Sequence, residues 1–130
     1  MLDSLQMLAN GFLTAGSLIN LLMAALGALV GTLVGVLPGL GAASAIAILI
    51  PVTAVLEPTQ AIIMLAGIYY GAQYGGSTTA ILLNIPGETA SIPTCLDGYP
   101  MAKQGRGGPA LGMSAIASCT AGLLGVVGLA

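Results

Sequence analysis

Tyr69-Tyr-Gly-Ala-Gln-Tyr-Gly-Gly-Ser-Thr-Thr-Ala-Ile-Leu-Leu-Asn-Ile-Pro-Gly87 is the stretch on which the reading of this chain turns. It starts as the end of an apolar helix. Its glycines at 71, 75 and 76 predict a break, and Ser77 predicts a restart as a short helix stopped by Pro86 and Gly87. In hydrocarbon, freed backbone groups have no water to bond, so a break is tolerated only against protein or a wet cavity. A restarted half-helix would aim its first N–H groups and the positive end of its dipole at the occupant of that cavity, and an anion is the natural occupant.

The surrounding composition places this stretch in a membrane. The 130 residues contain two basic and four acidic side chains and no histidine. No charge occurs from Ser4 to Leu56, from Pro58 to Gly87, or from Gly107 onward. Such runs exceed the roughly 20 residues needed to cross a bilayer. A net charge of −2 gives no basis for binding nucleic acid. The amino terminus lacks the positive region of a cleaved signal peptide. The sequence is still apolar where it stops, so residues 110–130 read as a span cut inside a longer protein.

Outward from the opening stretch, residues 1–14 suit a short interfacial helix, with Leu2, Leu5, Met7, Leu8, Phe12 and Leu13 among polar neighbours. Residues 16–37 read as a transmembrane helix in which Gly27, Gly31, Gly35 and Gly39 lay a smooth stripe for close helix packing. Leu37-Pro38-Gly39-Leu40-Gly41 stops it. Residues 41–56 are fewer than a straight crossing wants and predict a broken or re-entrant span, and residues 59–86 predict a second broken span. Residues 87–109 are rich in glycine and proline and read as a polar loop. Lys103 and Arg106 make that loop cytoplasmic by the positive-inside tendency. The two restarts share a pattern, Gly41…Ala45-Ile46…Ile50-Pro51 and Gly76…Ala80-Ile81…Ile85-Pro86. Paired interrupted helices point to a transporter site near the midplane.

The candidate site residues follow from these breaks. Gly75, Gly76, Ser77, Thr78 and Thr79 offer N–H groups and hydroxyls to a carboxylate, with Gly39, Gly41 and Ser44 as the weaker twin. The alternative is a tight helix contact in which the hydroxyls bond back to the preceding turn. Asn84 suits substrate or cation ligation and helix–helix bonding equally. Tyr74, between glycines, suits a ligand-facing ring, while Tyr69 and Tyr70 fit an aromatic belt. Glu57 and Glu88 are the acids that could carry a coupling proton, but they sit at segment ends, where a solvated or capping carboxylate is expected. Cys119 reads as a small buried hydrophobe. The lack of histidine removes the usual base of a serine or cysteine site, Lys103 has no phosphate-loop pattern around it, and no metal-ligand spacing occurs. The chain therefore reads as a non-enzyme without a bound cofactor, its metal ligands unassigned.

The chain resembles the amino-terminal part of the large membrane subunit of the tripartite tricarboxylate transporters. The resemblance is carried by Leu37 to Gly41, Tyr69 to Glu88, Asp97 to Ala102, Gly105, and Pro109 to Gly112, and covers nearly all of the sequence. It departs at Ala42-Ala43, where many members carry Gly-Pro. The resemblance implies uptake of citrate or another carboxylate, driven by a sodium or proton gradient. It also implies two partners, a small membrane subunit and a periplasmic solute-binding protein.

The expectation is thus an all-α, polytopic membrane protein, the first part of a repeat-built secondary transporter of a bacterial inner membrane. Two half-helix amino ends would hold the anion while unwound carbonyls or hydroxyls hold the coupling ion. Two rivals make different predictions. A channel built on the same breaks would conduct without a gradient and without saturation. A structural subunit would tolerate polar changes at Ser77, Thr78 and Asn84 but not glycine replacements.

Overall fold

A computed structural model describes residues 2–129, the side chain of Leu2 excepted. Its elements are helices: α1 (Leu2–Ala15), α2 (Leu18–Gly35), α3 (Ala42–Thr53), α4 (Pro58–Leu83), α5 (Ile92–Met101) and α6 (Gly107–Leu129). A 3₁₀ turn, Thr89–Ser91, precedes α5, and a π-helical segment, Ala102–Arg106, joins α5 to α6. The fold is all-α. Two stretches are long and apolar enough to cross a membrane, Leu18–Gly35 and one within Thr89–Leu129. α4 has 26 residues, about 39 Å of rise, but glycines, tyrosines and hydroxyls make it less apolar than those two.

The packing centres on a seam between α2 and α4. A methyl group on Gly27 would enter the backbone at Met64, one on Gly31 that of Ile68, and one on Gly35 that of Ala72. From the other side, Gly67 meets Ala24 and Ala28, Gly71 meets Ala28 and Thr32, and Gly75 meets Thr32 and Gly35. The numbers rise together, so the two helices run parallel. Six glycines at four-residue spacing remove the side chains that would hold the backbones apart, which converts helix contact into extensive dispersion attraction. The stripe anticipated on α2 is real as far as Gly35. Gly39 is outside the helix, in the following turn with φ +87°.

The same seam corrects the reading of residues 71–79. α4 passes through Gly71, Gly75 and Gly76 without interruption. Glycine costs a helix about 1 kcal/mol per residue in an exposed setting, but here Gly71 and Gly75 are buried against α2, and the contact they permit offsets that cost. The span expected to break at these glycines is one continuous helix to Leu83.

Because α2 and α4 are parallel, the chain must return between them, and α3 does so. Its Ala42 and Ala45 are buried with Met64, Ile68 and Ala72. At 12 residues, about 18 Å, α3 is too short for a hydrocarbon core of about 30 Å. Pro51 lies within it without ending it. The interior is lined by small residues, while Leu29, Leu33, Ile62, Leu123 and Val127 face outward. That arrangement suits a lipid surround, where close backbone packing and not burial of large side chains holds helices together.

Residues 87–109, expected as a polar loop, are mostly helical. Pro93 falls in the first turn of α5, where its missing N–H costs nothing. Gly105 adopts φ +77° and turns the chain between α5 and α6. Gly98 of α5 packs on Ile81, and Gly107 and Gly122 of α6 lie near Leu82 and Tyr70. α6 therefore descends antiparallel to α4. Cys119, expected to be buried, is exposed, in a groove that α6 forms with Tyr70 and Tyr74 of α4.

Candidate functional site

The interruptions of the chain meet at one level of the bundle. α2 ends at Gly35, and the turn through Pro38 and Gly39 delivers Gly41 as the N-cap of α3. On the other side, Asn84 stops α4 in the left-handed conformation, φ 59° and ψ 29°, its N–H bonded to the Thr79 carbonyl. Asparagine is among the few residues that adopt this conformation easily. From there the chain runs back along the last turns of α4. Gly87 lies against Gly76 and Gly35, and the position of a Gly76 Cβ is 3.2 Å from Ser91 Oγ. Roughly 10 Å of helix rise separates Gly76 from the end of α4, so residues 84–88 form a non-helical segment that turns back along α4, with Asn84 to Pro86 exposed and Gly87 buried. The break expected at Gly71–Gly76 does not exist, and the chain leaves the helix after Leu83, close to the stop expected at Pro86 and Gly87.

Glu88 is brought by this segment to the amino end of α3. The Ala42 N–H donates to Glu88 Oε2 at 3.3 Å. Gly41 leaves room for the carboxylate, since a Cβ there would be 3.1 Å from the same oxygen. The Ala45 N–H is bonded to the Gly41 carbonyl at 3.1 Å. The N–H groups of Ala43 and Ser44 precede it in the first turn and have no intrahelical acceptor. A carboxylate at this position is favoured by the helix dipole. The other carboxylate oxygen, Oε1, is fully buried with no hydrogen-bond partner. α2, α3 and α4 contain no charged side chain, so none of these helices supplies a countercharge.

The structure separates the site residues anticipated from sequence. Gly41, Ser44 and Gly76 belong to this junction, with Gly39 in the turn that leads into it. Gly75 serves the α2 seam. Ser77, Thr78 and Thr79 donate their hydroxyl hydrogens to the carbonyls of Gln73, Tyr74 and Gly76 at 3.1, 3.0 and 3.0 Å. In a continuous helix the N–H groups of these residues are committed to the turn before. The amino-end anion site once expected at 75–79 is therefore not formed there. Asn84 is an exposed helix stop, and Tyr74 faces a groove against α6 with Tyr70 and Cys119.

Two further features were not legible in the sequence. Asn20 is buried, its amide donating to the Thr14 carbonyl at 2.7 Å and tying the end of α1 to α2. A groove of about 560 Å³ between α4, α5 and α6 is lined by Ser77, Thr94, Asp97, Ser114 and Ser118 among apolar groups. Asp97 stands on its wall, as Glu88 stands at the amino end of α3. Among the described residues, no group of three or more His, Cys, Asp or Glu side chains comes together to hold a metal ion.

Residues 21–130 match the model of the tripartite tricarboxylate transporter TctA family. This chain belongs to that family. A relative from Agrobacterium vitis, described as an uncharacterized 52.8 kDa protein in the TAR-I ttuC' 3' region, is 52% identical over all 130 residues. Those residues make up 26% of that relative, so the TctA-family chain spans about a quarter of its length. No solved structure matches. Within this family member, residues 37–41 and 84–88 converge at the junction around Glu88.

Proposed function

We propose that the chain is part of the multi-pass permease subunit of a bacterial inner-membrane importer for tricarboxylates or related carboxylates. Import is coupled to a sodium or proton gradient, and a small membrane subunit and a periplasmic solute-binding protein complete the system. The supporting observation is the first turn of α3. One of its N–H groups already holds a carboxylate, that of Glu88, and those of Ala43 and Ser44 stand open beside it. A substrate carboxylate is held there by the Ala43 and Ser44 N–H groups and the Ser44 hydroxyl, without a basic side chain. The turn before α3 and the segment 84–88 supply non-helical backbone where a carrier needs a solvated site.

The test is uptake of labelled citrate and other carboxylates into proteoliposomes containing the full-length permease and its small subunit, with the binding protein outside. Saturable uptake that requires an ion gradient, and a raised KM in Ser44→Ala, are the expected results. Non-saturating conduction without a gradient would replace the carrier with a channel.

A further inference from the structure

We propose that Glu88 carries the coupling cation, bound at Oε1, and that this binding controls the seat at the amino end of α3. The inference rests on reading the chain as part of an ion-coupled carboxylate carrier. Of the six charged residues, Asp3, Glu57, Asp97, Lys103 and Arg106 are exposed, and Glu88 alone is drawn inward. Its two oxygens are treated differently. Oε2 receives the Ala42 N–H, whereas Oε1 is sealed from solvent and receives nothing. A buried oxygen that receives no hydrogen bond is costly, and a bound cation supplies the missing partner. Ionisable groups inside a membrane protein that face its interior mark ion pathways more often than structure.

The neighbourhood leaves this role to Glu88. Against it stand the first turn of α3 at Gly41 and Ala42, the α4 face at Gly76, and the turn ending at Ser91. None of these residues titrates. The cation is a proton or an alkali ion. A proton taken from solvent on one side forms an O–H bond at Oε1 and returns to solvent on the other side when that bond breaks. Sodium makes only ion–oxygen contacts. In either case the charge of Glu88 is cancelled, its hold on the positive end of α3 weakens, and a substrate carboxylate beside Ala43 and Ser44 is no longer repelled. Cation binding and anion binding then favour one another, which is the thermodynamic requirement for symport.

The variant Glu88→Gln keeps an oxygen for the Ala42 N–H and removes the negative charge. In the full-length permease it is expected to lower the ratio of gradient-driven accumulation to substrate exchange by about tenfold or more, within the ordinary range of site–site coupling. A Glu88→Gln protein that accumulates substrate as the wild type does would reduce Glu88 to a helix cap. A second measurement does not need transport. Infrared difference spectra of the purified protein should show a glutamate carboxyl band that moves with pH in sodium-free buffer, identifying a proton, or with sodium at fixed pH, and that vanishes in Glu88→Gln. A band that responds to neither overturns the proposal. A responsive band in a wild-type protein that carries no carboxylate retains the cation site and rejects the transport reading. If Glu88→Gln does not accumulate in the membrane, Glu88→Asp gives the same decision, with the band displaced and accumulation lowered relative to exchange.

Discussion

The α2–α4 seam and the junction of Gly41, Gly76 and Glu88 use glycine at similar density, yet their backbones differ. In the seam, Gly27, Gly31 and Gly35 face Gly67, Gly71 and Gly75 across two regular helices whose N–H and C=O groups are satisfied internally. At the junction, Gly39, Gly41 and Gly87 belong to chain that has left the helix, and there a carboxylate is drawn to open N–H groups. Glycine next to a second regular backbone permits approach, whereas glycine next to a turn permits departure from the helix. Only the second leaves polar groups free for a ligand. The seam is the scaffold, and the junction is where chemistry can occur.

Substitutions separate the two regions. The largest effect is expected in the seam: Gly31→Ala or Gly71→Ala places a methyl group inside the facing backbone and should destabilise by about 1–3 kcal/mol or more. The readout is a lowered unfolding midpoint in detergent, with loss of membrane accumulation for Gly31→Val. Next comes Glu88→Ala, which strands the Ala42 N–H and should cost about 1–3 kcal/mol by the same measurement, while Glu88→Gln costs less. Equal losses for the two Glu88 variants would show that the α3 cap is not what the carboxylate contributes. Gly39→Ala follows at about 1–2 kcal/mol, because φ +87° disfavours a Cβ although the space around it is open. The smallest change is Ser77→Ala, within about 0.5 kcal/mol and with near-normal uptake, since its hydroxyl only bonds back to Gln73. A large transport defect in Ser77→Ala would instead move the site toward the groove between α4, α5 and α6.

Glycine's double role also explains why parts of the molecule were legible and others were not. The Gly27–Gly31–Gly35 stripe lies in a run of leucine, alanine and valine with Thr32 as its one polar neighbour, so packing was its plainest physical use. Gly71, Gly75 and Gly76 stand beside Gln73, Ser77, Thr78 and Thr79, and that mixture is what a broken helix would also contain. Their four-residue spacing from Gly67 was the signal for a seam. Whether that spacing holds a helix together depends on a complementary stripe elsewhere in the chain. The helices within 87–109 were obscured for a related reason. Pro93 and Gly98 are turn formers by composition, but one sits in a first turn and the other under Ile81.

The sequence by itself determined the membrane character, the all-α class, the stop at Leu37–Gly41, the shortness of α3 and the likeness to the transporter family. These follow from the absence of charge, from hydropathy over one helix length, and from local turn chemistry, all of which act between near neighbours. The tertiary structure decided that α4 is continuous, that the second interruption lies at 84–88, and that Glu88 meets Ala42, 46 residues away in the chain. Such outcomes depend on which backbones come into contact, and a glycine or a carboxylate has no fixed role until its partner is in place.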